Sequence, residues 1–164
     1  MIEGKKLLIL GGTYASYDIV KTAQDMGAYT IVTDNLAADQ GSAKQIADEV
    51  CQISTNDMNG LQQLIREKKI DGVFCGPSEF NLRNVITLCD MAGLPCYATP
   101  ELWEKCANKD VFKEYCRKNG VPTAQEYPVG CFEEPGRDEE VSYPVIVKPV
   151  DGSSSRGISI CGDR

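Results

Sequence analysis

Aliphatic residues in the first hundred positions of this chain fall in short continuous runs. Between the runs, apolar residues recur every three or four positions. Lys6-Leu7-Leu8-Ile9-Leu10 is the first run, and Gly11-Gly12 ends it. A run of this kind followed by turn residues predicts a strand buried on both faces. The pattern then predicts a helix over 15–26 closed by Gly27, a strand over 29–33, a short helix over 43–48 and a strand over 50–53. Asn56 or Asp57 is placed to cap a helix reaching Lys69, with Leu61, Leu64 and Ile65 on its apolar face. A strand over 73–75, a helix over 79–91 followed by Gly93, and a short strand over 95–97 complete the alternation. Strands separated by helices pair in parallel through right-handed crossovers. The fold expected for residues 1–98 is therefore α/β: a small, Rossmann-like, doubly wound parallel sheet.

The rhythm changes near Thr99. Thr99-Pro100-Glu101 opens a helix with Thr as cap and Pro in the first turn. Asn108 caps a second helix that ends near Lys118-Asn119-Gly120. Strands are expected over 123–127, 143–149 and 157–161, and the acidic stretch 133–140, with Pro135-Gly136, reads as an exposed loop. These last strands have too few partners to form a sheet with a core of its own. Residues 99–164 are thus expected to be a partial α+β subdomain of a longer polypeptide. The open edge near Ile158 would invite pairing with another chain, a second copy included.

Charge narrows the classes. Among 164 residues there are 17 Lys and Arg against 24 Asp and Glu, a net charge of −7. This argues against a nucleic-acid partner, which needs a basic surface to displace counterions. It leaves room for a nucleotide held by a few lysines. The apolar run 7–10 is too short for a signal core or a membrane span, so no membrane partner is expected and the cytoplasm is the expected location. The eight cysteines form no C-x-x-C pair, and with no histidine in the chain the mixed zinc sites are set aside. Most are expected to be buried, reduced thiols.

The stretch with the most chemistry is Tyr143-Pro-Val-Ile-Val-Lys148-Pro-Val-Asp-Gly152-Ser153-Ser154-Ser155-Arg156-Gly157-Ile158. An apolar strand presents Lys148 at its end, a loop of small residues follows, and the chain returns as a second strand. Backbone N–H groups of Gly and Ser can approach a phosphate closely, and Lys148 adds a positive charge at the same place. A plain hairpin with a serine-rich turn is the competing reading, although such hairpins usually have loops of about two to five residues. Gly11-Gly12-Thr13 is either an anion-binding turn or a tight structural turn. It lacks the G-x-G-x-x-G spacing, but Asp34 at the end of the second strand leaves NAD binding as an alternative. Ser78 and Glu79 lie where a helix cap and a first-turn acid belong, or where Glu79 could meet a substrate. A non-catalytic binding or assembly module is the third class.

The 143–158 stretch resembles the ATP-grasp superfamily of ligases, which includes biotin carboxylase and the carbamoyl-phosphate synthase large subunit. Asn108-Lys109-Asp110 and the later Asn119-Gly120-Val121-Pro122-Thr123 are similar to that superfamily in order and spacing. The resemblance implies an ATP-dependent carboxylate ligase that forms an acyl phosphate for attack by an amine or another nucleophile. It implies that Lys109 and Lys148 meet the nucleotide and that Gly152, Ser153, Ser154, Ser155, Arg156 and Gly157 form a flap over its phosphates. It also implies a small carboxylate-containing substrate facing Gly11, Gly12, Thr13 and Glu79. The superfamily's adenine-hinge segment and its magnesium ligands lie downstream of the residues matched here. No catalytic or metal-binding residue is therefore expected within 1–164, and this chain alone is not expected to turn over ATP.

Overall fold

The structure, a computed structural model, describes residues 2–128, 141–150 and 155–163. The chain divides into two compact units, Met1–Pro100 and Glu101–Arg164.

The first unit contains β1 (Lys6–Leu10), a 3-10 turn over Tyr14–Ser16, α1 (Tyr17–Asp25), β2 (Tyr29–Thr33), β3 (Glu49–Cys51), α2 (Met58–Lys68), β4 (Gly72–Cys75) and α3 (Glu79–Ala92). The strands form one sheet in the order β3-β2-β1-β4. Every pairing is parallel, with Leu8 opposite Ile31 on one side and Val73 on the other. Alternate residues of the central strands feed opposite layers. Leu8, Leu10, Ile31, Val73 and Cys75 pack on Leu61, Leu64 and Ile65 of α2 and on Val85, Leu88 and Cys89 of α3. Ile9 and Val32 pack with Val20 of α1 and with Ala43. The sheet is therefore wound on both faces, and the long aliphatic runs of β1 and β2 follow from that burial.

Three helices end in the same way. Gly27, Lys69 and Gly93 take positive φ (84°, 52° and 66°). The next residue's N–H reaches back into the last turn: Ala28 to Ala23 O, Ile70 to Ile65 O and Leu94 to Cys89 O, at 2.9–3.0 Å. This left-handed cap suits glycine, and Lys69 adopts it with a Cβ in place.

Two expected elements of this unit are absent. Residues 43–48 form turns rather than a helix. Long-range bonds hold the segment in this form: Gln24 Nε2 donates to the Ile46 carbonyl at 2.7 Å, and Ala43 N donates to Gly12 O. Residues 95–97 make no ladder. Pro95 lacks an N–H to donate, and side chains hold the segment instead: the Tyr97 ring lies 5.4 Å from Phe74, and Cys96 packs against the core. Strand β3 starts at Glu49 and stops at Cys51, because Ile53 exchanges its backbone bonds with the Thr33 hydroxyl. Helix α1 starts later than expected because the 3-10 turn comes first.

In the second unit, α4 (Pro100–Ala107) begins at the boundary and α5 (Lys109–Lys118) follows under the Asn108 cap, whose Oδ1 accepts from Asp110 N and Val111 N. The strand expected over 123–127 has no ladder partner among the described residues. Glu126 pairs with Lys113 at 2.7 Å and with Arg117, and Arg117 Nε donates to Thr123. Strands β5 (Val145–Val147) and β6 (Ser159–Cys161) form an antiparallel pair; β5 is shorter than expected at both ends, and β6 starts later than expected but ends at Cys161 as expected. The stretch 133–140 lies outside the described residues. Of the seven described cysteines, all free, only Cys75 and Cys89 are buried, and Cys106 is exposed. The expectation of mostly buried thiols therefore fails, most fully in the second unit, where neither helix has a buried residue.

Two stability tests follow. Lys69→Gly relieves the left-handed cap and should stabilise the fold by about 0.5–1 kcal/mol in urea denaturation. Partial burial pushes the Asp48 pKa up, but hydrogen bonds from Thr30 N, the Thr30 hydroxyl and Gln24 outweigh it and hold the carboxyl below the ordinary 3.8. Its folded pKa is depressed, so its contribution is present above the unfolded value and is lost as pH falls below 3.8. Asp48→Asn should lower the denaturation midpoint at pH 7, and the two proteins should converge as the pH falls below that value.

Candidate functional site

The loops that leave β1, β2 and β4 meet at the carboxyl edge of the parallel sheet, the edge at which open α/β folds bind ligands. Gly11 leaves β1 with φ +93°. Its N–H donates to Thr33 O at 2.8 Å, and the Gly12 N–H donates to Asp34 Oδ2 at 2.8 Å. The Gly12 carbonyl accepts from Ala43 N at 3.2 Å, and the Leu10 carbonyl from Asn81 Nδ2 at 3.3 Å. Both glycine donors are thus engaged within the fold. Thr13 and Tyr14 follow on the surface, and Tyr14 is 82% exposed.

Asp34 is held from three directions. Besides Gly12, it accepts from Leu36 N at 2.8 Å and pairs with the Lys44 ammonium. The Lys44 side chain is 0% exposed, and its Nζ also donates to Leu36 O at 2.6 Å and Ala37 O at 3.2 Å. The glycines make room for this arrangement. A Cβ on Gly12 would lie 2.6 Å from Lys44 Cγ, and one on Gly41 would collide with the Gly12 carbonyl. Asp34, the ribose-binding candidate of a dinucleotide fold, is therefore spent inside the protein.

After β4, Gly76 passes against the Ala15 carbonyl, leaving 3.1 Å for a Cβ. Ser78 caps α3 through its bond with Asn81 N at 3.3 Å. Glu79 lies exposed in the first turn of α3. Asn81 Oδ1 is buried with no partner among the described residues. Sequence reasoning missed Lys44 and Asn81: the first was assigned to a helix, and nothing local marks either residue as turned inward.

Two groups in this unit are held in their protonated forms. Burial, and then Cys96, pushes the Cys89 thiol up to about 12, and burial, with Cys75 beside it, does the same for the Tyr97 phenol. At neutral pH both groups stay protonated.

In the second unit, the register Val147↔Ser159 puts Lys148 directly after β5, and Ile158 leads into β6. Between them the chain turns back at 155–157, with Ser155 at φ +57° and Gly157 at φ +69°. A Cβ on Gly157 would be 3.0 Å from the Pro149 ring. Lys109, first residue of α5, donates from Nζ to Val150 O at 3.1 Å and from its backbone N–H at 3.4 Å. Lys109 is thus tied to the segment that follows Lys148. Ser155 and Arg156 are exposed; Gly152, Ser153 and Ser154 lie outside the described residues. A cationic donor set with hydroxyls suits a polyphosphate. Among the described residues, no three His, Cys, Asp or Glu side chains group to hold a metal ion, and no helix is long and apolar enough to cross a membrane.

No protein-family model matches the chain. Among curated proteins it is similar to the formate-dependent phosphoribosylglycinamide formyltransferase of Sulfolobus acidocaldarius, 27% identical over 100% of this chain and 41% of that protein. The enzyme of the same name from Pasteurella multocida is 26% identical over 96% of this chain and 40% of its own length. Among solved structures, N5-carboxyaminoimidazole ribonucleotide synthetase from Thermotoga maritima matches with a TM-score of 0.73 and 25% identity, over 98% of this chain and 41% of that one. The biotin carboxylase domain of the Hydrogenobacter thermophilus 2-oxoglutarate carboxylase, solved with MgADP, ADP and bicarbonate, has the same fold over 97% of this chain and 38% of its own, with a TM-score of 0.80. These homologues and structural neighbours are ATP-grasp ligases, and the chain spans about 40% of their length, at the N-terminal end.

The buried pair sets a test of the first unit. Lys44→Met strands the Asp34 carboxylate and should destabilise the fold by about 3–5 kcal/mol. The double variant Asp34→Asn/Lys44→Met should recover most of that loss, as read from urea midpoints.

Proposed function

We propose that this chain is the leading part of an ATP-dependent carboxylate ligase. Residues 1–98 would be the domain preceding the ATP-grasp fold, and residues 99–164 the first part of that fold. One observation carries the reading: Lys148 directly follows β5 at the mouth of the loop that returns as β6, and Lys109 is bonded to Val150 of the same loop. The matches to ATP-grasp ligases run through both elements.

On this reading the polyphosphate of ATP meets Lys109 and Lys148, and the loop 152–157, with its Gly and Ser residues and Arg156, closes over it. Closure keeps water from a reactive intermediate. The substrate carboxylate attacks the γ-phosphorus and the bond to the β-phosphate oxygen breaks, giving an acyl phosphate and ADP. An amine or another nucleophile then attacks the acyl carbon and phosphate leaves. Magnesium supplies charge neutralisation in phosphoryl transfer, and its ligands are assigned to residues beyond those matched here. Gly11, Gly12, Thr13 and Glu79 form the wall facing the small carboxylate substrate. Because the glycine donors are engaged internally, the direct contacts fall to Thr13 and Glu79. The assignment also takes the protein to be cytoplasmic and leaves a homodimer open to a sizing experiment.

A nicotinamide-dependent oxidoreductase is the weaker reading, because both Asp34 oxygens are already engaged within the fold by Gly12 N, Leu36 N and the Lys44 ammonium. In the complete gene product, Lys148→Ala should abolish MgATP turnover while leaving the circular dichroism spectrum and urea midpoint unchanged. Turnover at the wild-type rate in that variant would remove Lys148 from the site.

A further inference from the structure

We infer that Asp34 and Lys44 are positioning residues whose buried pair fixes the Gly12 peptide inward, making the loop after β1 a closed structural seat with no free backbone donors in its glycine pair. Three observations converge on this. The Gly12 N–H ends on Asp34 Oδ2 at 2.8 Å, and its carbonyl on Ala43 N at 3.2 Å, one residue from Lys44. The Lys44 side chain lies against the Gly12 Cα, where a Cβ would be 2.6–2.7 Å from its Cγ and Cε. Asp34 reaches Gly12 and Leu36 with its two oxygens while Lys44 bonds the Leu36 and Ala37 carbonyls, so one pair ties the β1 loop to the 34–44 loop.

The chemistry explains why glycine occupies positions 11 and 12. Gly11 supplies a positive φ, and Gly12 supplies the space that Lys44 fills. Neither is needed as an anion donor. A ligand approaching this edge meets a preformed wall whose shape depends on a charge pair beneath it, and its polar contacts begin at Thr13. The inference deepens the proposed acceptor wall and rests on that reading for its bearing on substrate. The geometry of the loop stands apart from it.

Amide hydrogen exchange by NMR on this chain, with no nucleotide or substrate added, tests the inference without testing the ligase reading. In the wild-type chain Gly12 and Leu36 should exchange slowly, although they lie in loops. Asp34→Ala should raise exchange at both about tenfold or more beyond the rise at Gly11, bonded to Thr33 O, and at Ile9 in the core, whose exchange reports the global loss of stability. Lys44→Met should act on the same two amides. The neutral double variant Asp34→Asn/Lys44→Met keeps the acceptor and should restore slow exchange at Gly12, which also covers the case in which a single variant fails to fold. Fast exchange at Gly12 in the wild type would overturn the inference. So would a rise at Gly12 matched by equal rises at Gly11 and Ile9, since that pattern is a global loss of stability.

Discussion

Lys44 carries a full charge on a side chain with no exposure, and the carboxyl edge of the first unit is arranged around satisfying it. A lone ammonium in such a place would cost several kcal/mol, and burial is tolerated only where a counter-charge and further acceptors are supplied. Asp34 provides the counter-charge, and the Leu36 and Ala37 carbonyls provide the rest. Asp34 in turn takes the Gly12 N–H, so the bend after β1 and the path from β2 to β3 are solved together. This is why the glycine pair sits where it does.

The sheet beneath makes that arrangement possible. Four parallel strands with helices on both faces bring three loops to one edge, and the core on either side holds the strand ends in register. The second unit is built differently. Helices α4 and α5 bury no residue, and Ile146 and Ile160, paired across β5 and β6, are 62% and 75% exposed. Its order comes from caps and ion pairs: Asn108 on α5, Glu126 bridging Lys113 and Arg117, and Lys109 on Val150. A two-stranded sheet of this kind is marginal by itself.

Much of the first unit was legible because burial on two faces writes itself as unbroken aliphatic runs. Lys6–Leu10 and Tyr29–Thr33 matched to the residue. Caps were legible for the same local reason: Asp57 and Asn108 accept the N–H groups expected of them, and Gly27 and Gly93 take the left-handed turn. Elements decided by distant partners were not. Residues 43–48 have helical spacing, but they fold as turns with Ala43 N bonded to Gly12 and the Ile46 carbonyl to Gln24. Residues 95–97 and 123–127 look like strands but have no ladder partner among the described residues, and side-chain contacts hold them. Lys148 and Lys109 were legible as candidates from strand-end placement and a capped helix start. The inward turn of Lys44 was invisible, because its cause lies on the two neighbouring loops.

The central claim, that a nucleotide polyphosphate meets Lys109 and Lys148, is tested most directly by amine-reactive footprinting of the complete gene product, read by mass spectrometry. MgATP should slow acylation of Lys109 and Lys148 several-fold and leave the exposed Lys5, on the other unit, unchanged; NADH should protect neither. Equal labelling of both lysines with and without MgATP would contradict the account.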